Sequence, residues 1–122
     1  MIRATTPTHV FNFSVSPSEF DKILITYKQG DEPVIEFTKE DLEISDFSVA
    51  HTFSEAETKL FDANKICFCQ LRATMENQSI ATKPYMLSIK DVLNDVALTD
   101  GNPDGIIAGT FTMDVDFEDV TS

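Results

Sequence analysis

Four small groups of residues in this chain have types and spacing that suit chemistry. Asp100-Gly101-Asn102-Pro103-Asp104-Gly105-Ile106-Ile107 opens like a calcium loop, with oxygen donors at its first, third and fifth positions and an apolar eighth. Its twelfth position is Phe111, where a bidentate glutamate is needed, and Pro103 sits inside it. An ordinary turn is the expected reading, and no metal is assigned. Cys67 and Cys69 would offer a pair of thiolates, but a closed zinc site takes four ligands. The only imidazoles are His9 and His51, and nothing near them in sequence completes a set. A cysteine–histidine nucleophile would also need an orienting group and an oxyanion loop, and no such motif accompanies these residues. The chain has four glycines and lacks both G-x-x-x-x-G-K and G-x-G-x-x-G, which excludes the usual phosphate-cradling loops. The expectation is no catalytic residue, no cofactor and no metal.

The fourth group is the alternation Phe111, Met113, Val115, Phe117 against Thr112, Asp114, Asp116, Glu118. Strict alternation is the signature of a strand with one apolar face. Its other face carries three carboxylates in a row. Carboxylates spaced this way can imitate a phosphate backbone, so one function to consider is an inhibitor of a nucleic-acid enzyme. The plainer reading is an acidic strand that discourages aggregation at a sheet edge. Such a strand either joins the chain's own sheet or pairs with another chain.

The elements that must position these groups are mainly strands. His9 to Val15 alternates, with Phe11, Phe13 and Val15 on one side. Lys22–Gln29 and 34–37 form a hairpin around Gly30-Asp31-Glu32-Pro33, and Pro33 favours an edge position for the return strand. Leu42, Ile44 and Phe47 offer anchors for a strand in the charged stretch that follows, and 47–53 alternates again. Ser54-Glu55-Ala56-Glu57 matches a capping box and predicts a helix over 54–61 anchored by Leu60 and Phe61. The run 64–75 is the longest strand, with Ile66, Phe68, Gln70 and Arg72 on one face and Cys67, Cys69, Leu71 and Ala73 on the other. A further strand over 80–89 is interrupted by Pro84. Short strands separated by turns, with one short helix, predict a mostly β fold: an antiparallel β-sandwich of the immunoglobulin or jelly-roll kind.

At 122 residues the chain fits one core. The organisation expected is a sandwich over 1–96, preceded by an extended arm at its start, and an acidic extension with one strand over 97–122. Ten phenylalanines and no tryptophan point to a core rich in rings without polar handles. The net charge is −12, and from Asp91 onward there are eight acidic residues and no lysine or arginine. Such a surface avoids DNA, RNA and anionic lipid, since binding to phosphate needs cationic side chains. It suits a basic protein surface instead. Residues two apart on a strand share a face, which disfavours a Cys67–Cys69 disulfide. Free thiols fit a reducing compartment. No stretch approaches the roughly 20 apolar residues of a membrane span, and the opening has no apolar run of signal-peptide length, which predicts synthesis in the cytoplasm.

The opening Ile2-Arg3-Ala4-Thr5-Thr6-Pro7-Thr8-His9-Val10-Phe11 resembles that of small phage and prophage proteins of Firmicutes. In those proteins an I-R-G-T-T-P-T opening precedes a strand, an I-T-Y-x-Q segment, a short helix and a Q-L-R strand. Here the later pieces read Ile25-Thr26-Tyr27-Lys28-Gln29, Phe53-Ser54-Glu55-Ala56-Glu57-Thr58 and Gln70-Leu71-Arg72, with Ile89-Lys90-Asp91-Val92-Leu93 closing the pattern. Ala4 stands where the family has glycine, and the pattern ends near Asp95. The resemblance implies a virion protein of tail, neck or baseplate, similar to N-terminal domains of upper baseplate proteins. The partners expected are other phage structural proteins or copies of the chain itself, and the charge argues for no direct nucleic acid and no membrane. The residues expected to meet partners are Thr5, Thr6 and Thr8 of the arm and Phe111, Met113, Asp114, Asp116 and Glu118 of the terminal strand.

Overall fold

The structure, a computed structural model, describes residues 1–3, 5–76, 78–90 and 110–115. It is mostly β and sandwich-like. Nine strands are described: β1 (Thr8–Asn12), β2 (Lys22–Gln29), β3 (Glu32–Thr38), β4 (Glu43–Ile44), β5 (Ser48–Thr52), β6 (Cys67–Met75), β7 (Gln78–Ala81), β8 (Tyr85–Leu87) and β9 (Thr110–Asp114). One sheet has the order β4-β5-β1-β9. The other runs β3-β2-β6-β7, with β8 beside β7 on the same flank of β6. Every ladder is antiparallel except β1–β9, which is parallel, with Phe11 opposite Met113 and Asn12 opposite Asp114.

Local chemistry sets the boundaries. Gly30 opens the two-residue turn between β2 and β3 with φ +69°, a left-handed backbone that glycine adopts without a Cβ penalty. The return strand therefore starts at Glu32, earlier than Pro33 had suggested, and a register shift after Tyr27 absorbs the proline on what is an edge strand. Pro84 splits the expected 80–89 strand into β7 and β8, because it has no N–H for the ladder. In the gap Thr82 keeps the pairing with β6: its N–H donates to the Leu71 carbonyl at 3.0 Å, and its hydroxyl accepts from the Leu71 N–H at 3.2 Å. The capping box closes as its spacing predicts. Glu57 N–H donates to Ser54 Oγ at 3.1 Å, and Ser54 N–H donates to Glu57 Oε1 at 2.9 Å. The helix α1 is shorter than expected, Glu55–Thr58, and only Phe61 of its two anchors is buried; Leu60 is 60% exposed. A single turn following the cap cannot carry both side chains inward.

Alternation identifies most of the core. Phe11, Phe13, Ile23, Ile25, Tyr27, Val49 and Leu71 are buried between the sheets. On β6 the inner face is the one bearing Cys67, Cys69, Leu71 and Ala73. Val15, Ile44 and Phe47 are exposed instead, because β1 ends at Asn12, β4 is only two residues long and ends at Ile44, and the backbone bends at Val15 and Phe47.

The opening segment is not a free arm. Met1 is buried, and residues 2 and 3 run beside Lys90, with Arg3 N–H on the Lys90 carbonyl at 2.8 Å. Thr5 is clasped by Thr58, whose buried hydroxyl accepts from Thr5 N–H at 3.3 Å and lies 3.0 Å from the Thr5 carbonyl. Phe53 N–H donates to the Pro7 carbonyl at 2.8 Å, and β1 begins at Thr8, between β5 and β9. A Thr58→Val variant keeps the shape but strands both Thr5 backbone groups. It should lose about 1–3 kcal/mol of stability in denaturant unfolding and speed hydrogen exchange at the Thr5 amide.

Candidate functional site

His9, Tyr27 and both cysteines gather between the sheets. His9 of β1 and Tyr27 of β2 are both fully buried, and His9 Nδ1 lies 2.6 Å from the Tyr27 hydroxyl, a hydrogen bond that spans the two layers. Tyr27 is also directly opposite Cys69 across the β2–β6 ladder. Rings enclose the group. Phe53 meets His9 edge-on at 4.8 Å and Tyr27 at 5.3 Å, and Phe61 meets Tyr27 at 5.9 Å. Edge-to-face pairs of this kind add about 0.5–1.5 kcal/mol each beyond their buried area.

Burial decides what these groups can do. It pushes the Tyr27 phenol up and lifts the thiols of Cys67 to about 11 and Cys69 to about 12. Thiols held protonated are poor nucleophiles and poor ligands. Both cysteines are free and share a face, as alternation requires. Burial, aided by the terminal amine and His51, lowers His9 to about 4, so its ring is neutral at pH 7. The second histidine lies at the margin of the same ring cluster: His51 packs on Phe37 with centroids 3.8 Å apart and Nε2 is 3.2 Å from Glu57 Oε1. Among the described residues no three His, Cys, Asp or Glu side chains gather as a metal set, and no helix is long and apolar enough to cross a membrane. The buried His9–Tyr27 pair is a structural clip between the sheets. The calcium-like loop 100–111 lies outside the described residues, apart from its last two backbone positions.

The accessible features are on the outer face of the β3-β2-β6-β7 sheet. Lys22, Leu24, Thr26 and Lys28 point outward from β2, and Phe68, Gln70, Arg72 and Thr74 from β6. Their pairing makes rows across the strands. Lys28, Phe68 and Met86 form one row, and Leu24, Arg72 and Ala81 another. Phe68 and Met86 are 43% and 67% exposed, and Ile66 beside them 55%. At the other end of the face, Lys22, Leu24, Lys39, Arg72 and Ile80 line an open groove of about 720 Å³. Lys22 and Arg72 are exposed and form no ion pair among the described residues. Lys39 at the wall donates to the Phe20 carbonyl at 2.7 Å.

The residues expected to meet partners are not brought together. Thr5 is held against Thr58, while Thr6 is exposed. Thr8 faces outward from β1 with its hydroxyl 2.8 Å from that of Thr52. Met113 is buried in the core opposite Phe11, whereas Asp114 is exposed, accepting from Asn12 Nδ2 at 3.4 Å. Phe111 pairs with His9 through its backbone, and its side chain, like Asp116 and Glu118, lies outside the described residues. The terminal strand thus joins the chain's own sheet, and Tyr85 fixes its end by donating its hydroxyl to the Asp114 carbonyl at 2.8 Å. Sequence reasoning missed the groove. Its signal was the alternation of Lys22 and Leu24 against Ile23 and Ile25, which placed a cation and a leucine on one outward face.

No family model matches the chain, and searches of curated proteins and of solved structures yield no match either.

The His9 shift has a consequence for stability. In the unfolded chain the ring takes a proton near 6.5, in the folded one only near 4. The unfolded state binds the extra proton in that window, so the His9 contribution is complete above about pH 6.5 and falls as pH drops toward 4. The loss amounts to about 3 kcal/mol across the window. Urea unfolding between pH 6.5 and 5 should show this slope, and His9→Phe should flatten it; an unchanged slope in that variant would assign it to other groups.

Proposed function

We propose that this chain is a non-enzymatic structural component of a phage particle, in its tail, neck or baseplate, and works through protein–protein contacts. Its partners are copies of itself or other particle proteins, with no direct contact to nucleic acid or membrane. One observation carries this reading: among the described residues both cysteines, His9 and Tyr27 are buried in the core, whereas large apolar side chains stand on the sheet surface. Phe68 and Met86 face each other directly across β6 and β8 and remain exposed. Surface apolar clusters of this kind mark contact sites in assembled proteins. The order of sequence pieces over residues 2–95, similar to phage and prophage proteins, supplies the setting.

The joining elements differ from those read in the sequence. The opening segment and β9 are committed to the fold, so the proposed contacts shift to the outer face of the five-stranded sheet. Removing residues 106–122 would take a strand from β1 and Met113 from the core, so loss of assembly in such a truncation would report unfolding. The alternative, an acidic inhibitor of a nucleic-acid enzyme, draws on Asp114, Asp116 and Glu118, of which only Asp114 is described, and has no comparable support.

The reading is tested on particles released by induction of the phage or prophage encoding the chain and purified by density gradient. Quantitative mass spectrometry should find the chain in the particle band at a fixed ratio to the other tail proteins. Its presence in the lysate but absence from intact particles would contradict the proposal.

A further inference from the structure

Two described surfaces of this chain carry opposite charges. The first is the groove on the outer sheet face. Its floor is the Leu24–Arg72–Ala81 row, and Lys22 stands beside Leu24 on the same outward face. In a chain with 21 acidic and nine basic residues, Lys22 and Arg72 project together from one sheet face without an acidic partner among the described residues. Asp21 and Glu40 also line the groove, which centres the cationic part on the Leu24–Arg72 row and away from Lys39.

The second surface is the β4 edge. Glu43, Ile44, Asp46 and Phe47 are all exposed, Phe47 by 58%. This is the one described segment that alternates carboxylates with two large exposed apolar side chains. β4 is the outermost strand of its sheet, pairing only with β5 among the described residues. The segment is held in shape before any partner arrives: Ser45 N–H donates to the Ser48 carbonyl at 2.8 Å, and Phe13 N–H to the Phe47 carbonyl at 2.7 Å. A preformed segment loses little freedom on docking.

We propose that the Glu43–Phe47 edge of one copy seats in the Lys22–Arg72 groove of a second, an inference that rests on the assembly reading above and names its surface. Glu43 and Asp46 meet Lys22 and Arg72, while Phe47 covers the apolar part of the floor at Leu24 and Ala81. Opposite charges set the register and exclude like-charged alternatives, and burial of the phenylalanine supplies the affinity. The contact joins two different patches, so copies close into a two-fold pair or a ring according to the angle between them.

A charge exchange in the full-length protein tests this, read by sedimentation velocity over a range of concentrations, with far-ultraviolet circular dichroism showing that each variant is folded. The wild type should self-associate, more weakly as salt rises. K22E/R72E and E43K/D46K should each weaken association at least about tenfold. Mixing the two variants should restore it, because the reversed groove then meets the reversed edge and the native groove meets the native edge. Phe47→Ser should weaken it at constant charge. A wild type that is monomeric throughout overturns the inference, as does a folded K22E/R72E that associates normally or a variant mixture that stays apart. Normal association of K22E/R72E removes this surface but leaves the particle reading standing; that reading fails on particle composition alone.

Discussion

The hydrogen bond between His9 and Tyr27 is the constraint on which the rest of the fold depends. It is a fully buried polar contact that crosses from the β1 sheet to the β2 sheet through a layer of mainly apolar side chains. An imidazole and a phenol placed there without each other would both be costly, since a buried polar group lacking a partner forfeits its hydration without return. Together they fix how the two sheets sit. β1 must lie over β2 at the level of Tyr27, and that position aligns Phe53 and Phe61 for their edge contacts with the tyrosine ring. The same burial explains why the chemistry is muted: neutral histidine, protonated thiols and a protonated phenol are the forms that a dry interior tolerates.

The position of β1 also determines the fate of both ends. With β5 on one side, β1 has a single free edge, and β9 fills it in parallel. Thr5 and Pro7 are held by Thr58 and Phe53 just before β1 begins, so the chain enters the sheet in one register. Both segments that seemed suited to reach another subunit are parts of the sandwich. The contacts proposed above therefore fall on the outside of the other sheet, where alternation places Lys22, Leu24, Phe68 and Arg72, and on the β4 edge.

Much of this was legible in the residues. Alternation in 22–29 and 64–75 identified the two longest strands and their faces, the Ser54–Glu57 spacing identified the cap, and Pro84 marked a break. What alternation cannot convey is which strands become neighbours. His9 read as a lone imidazole because its partner Tyr27 is 18 residues away and on the other sheet. The groove was invisible for the same reason, since Lys22 and Arg72 converge only when β2 pairs with β6. Val15, Phe47 and Leu60 misled because periodicity continues past the point where a strand or helix ends. Their exposure follows from local termination, which period alone does not encode. Of the expected partner-binding residues, Thr5 and Met113 were recognised as special, but their constraint is packing within the chain.

The central claim is that His9 and Tyr27 form a closed, neutral pair at the sheet interface. Solution NMR of the two side chains tests it most directly. The account predicts a Tyr27 hydroxyl proton that exchanges slowly enough with water to be observed, together with a His9 ring that stays neutral until about pH 4. A hydroxyl proton lost to rapid exchange, with His9 titrating at the ordinary value of 6.5, would mean that water reaches the pair and that the sheets are not joined in this way.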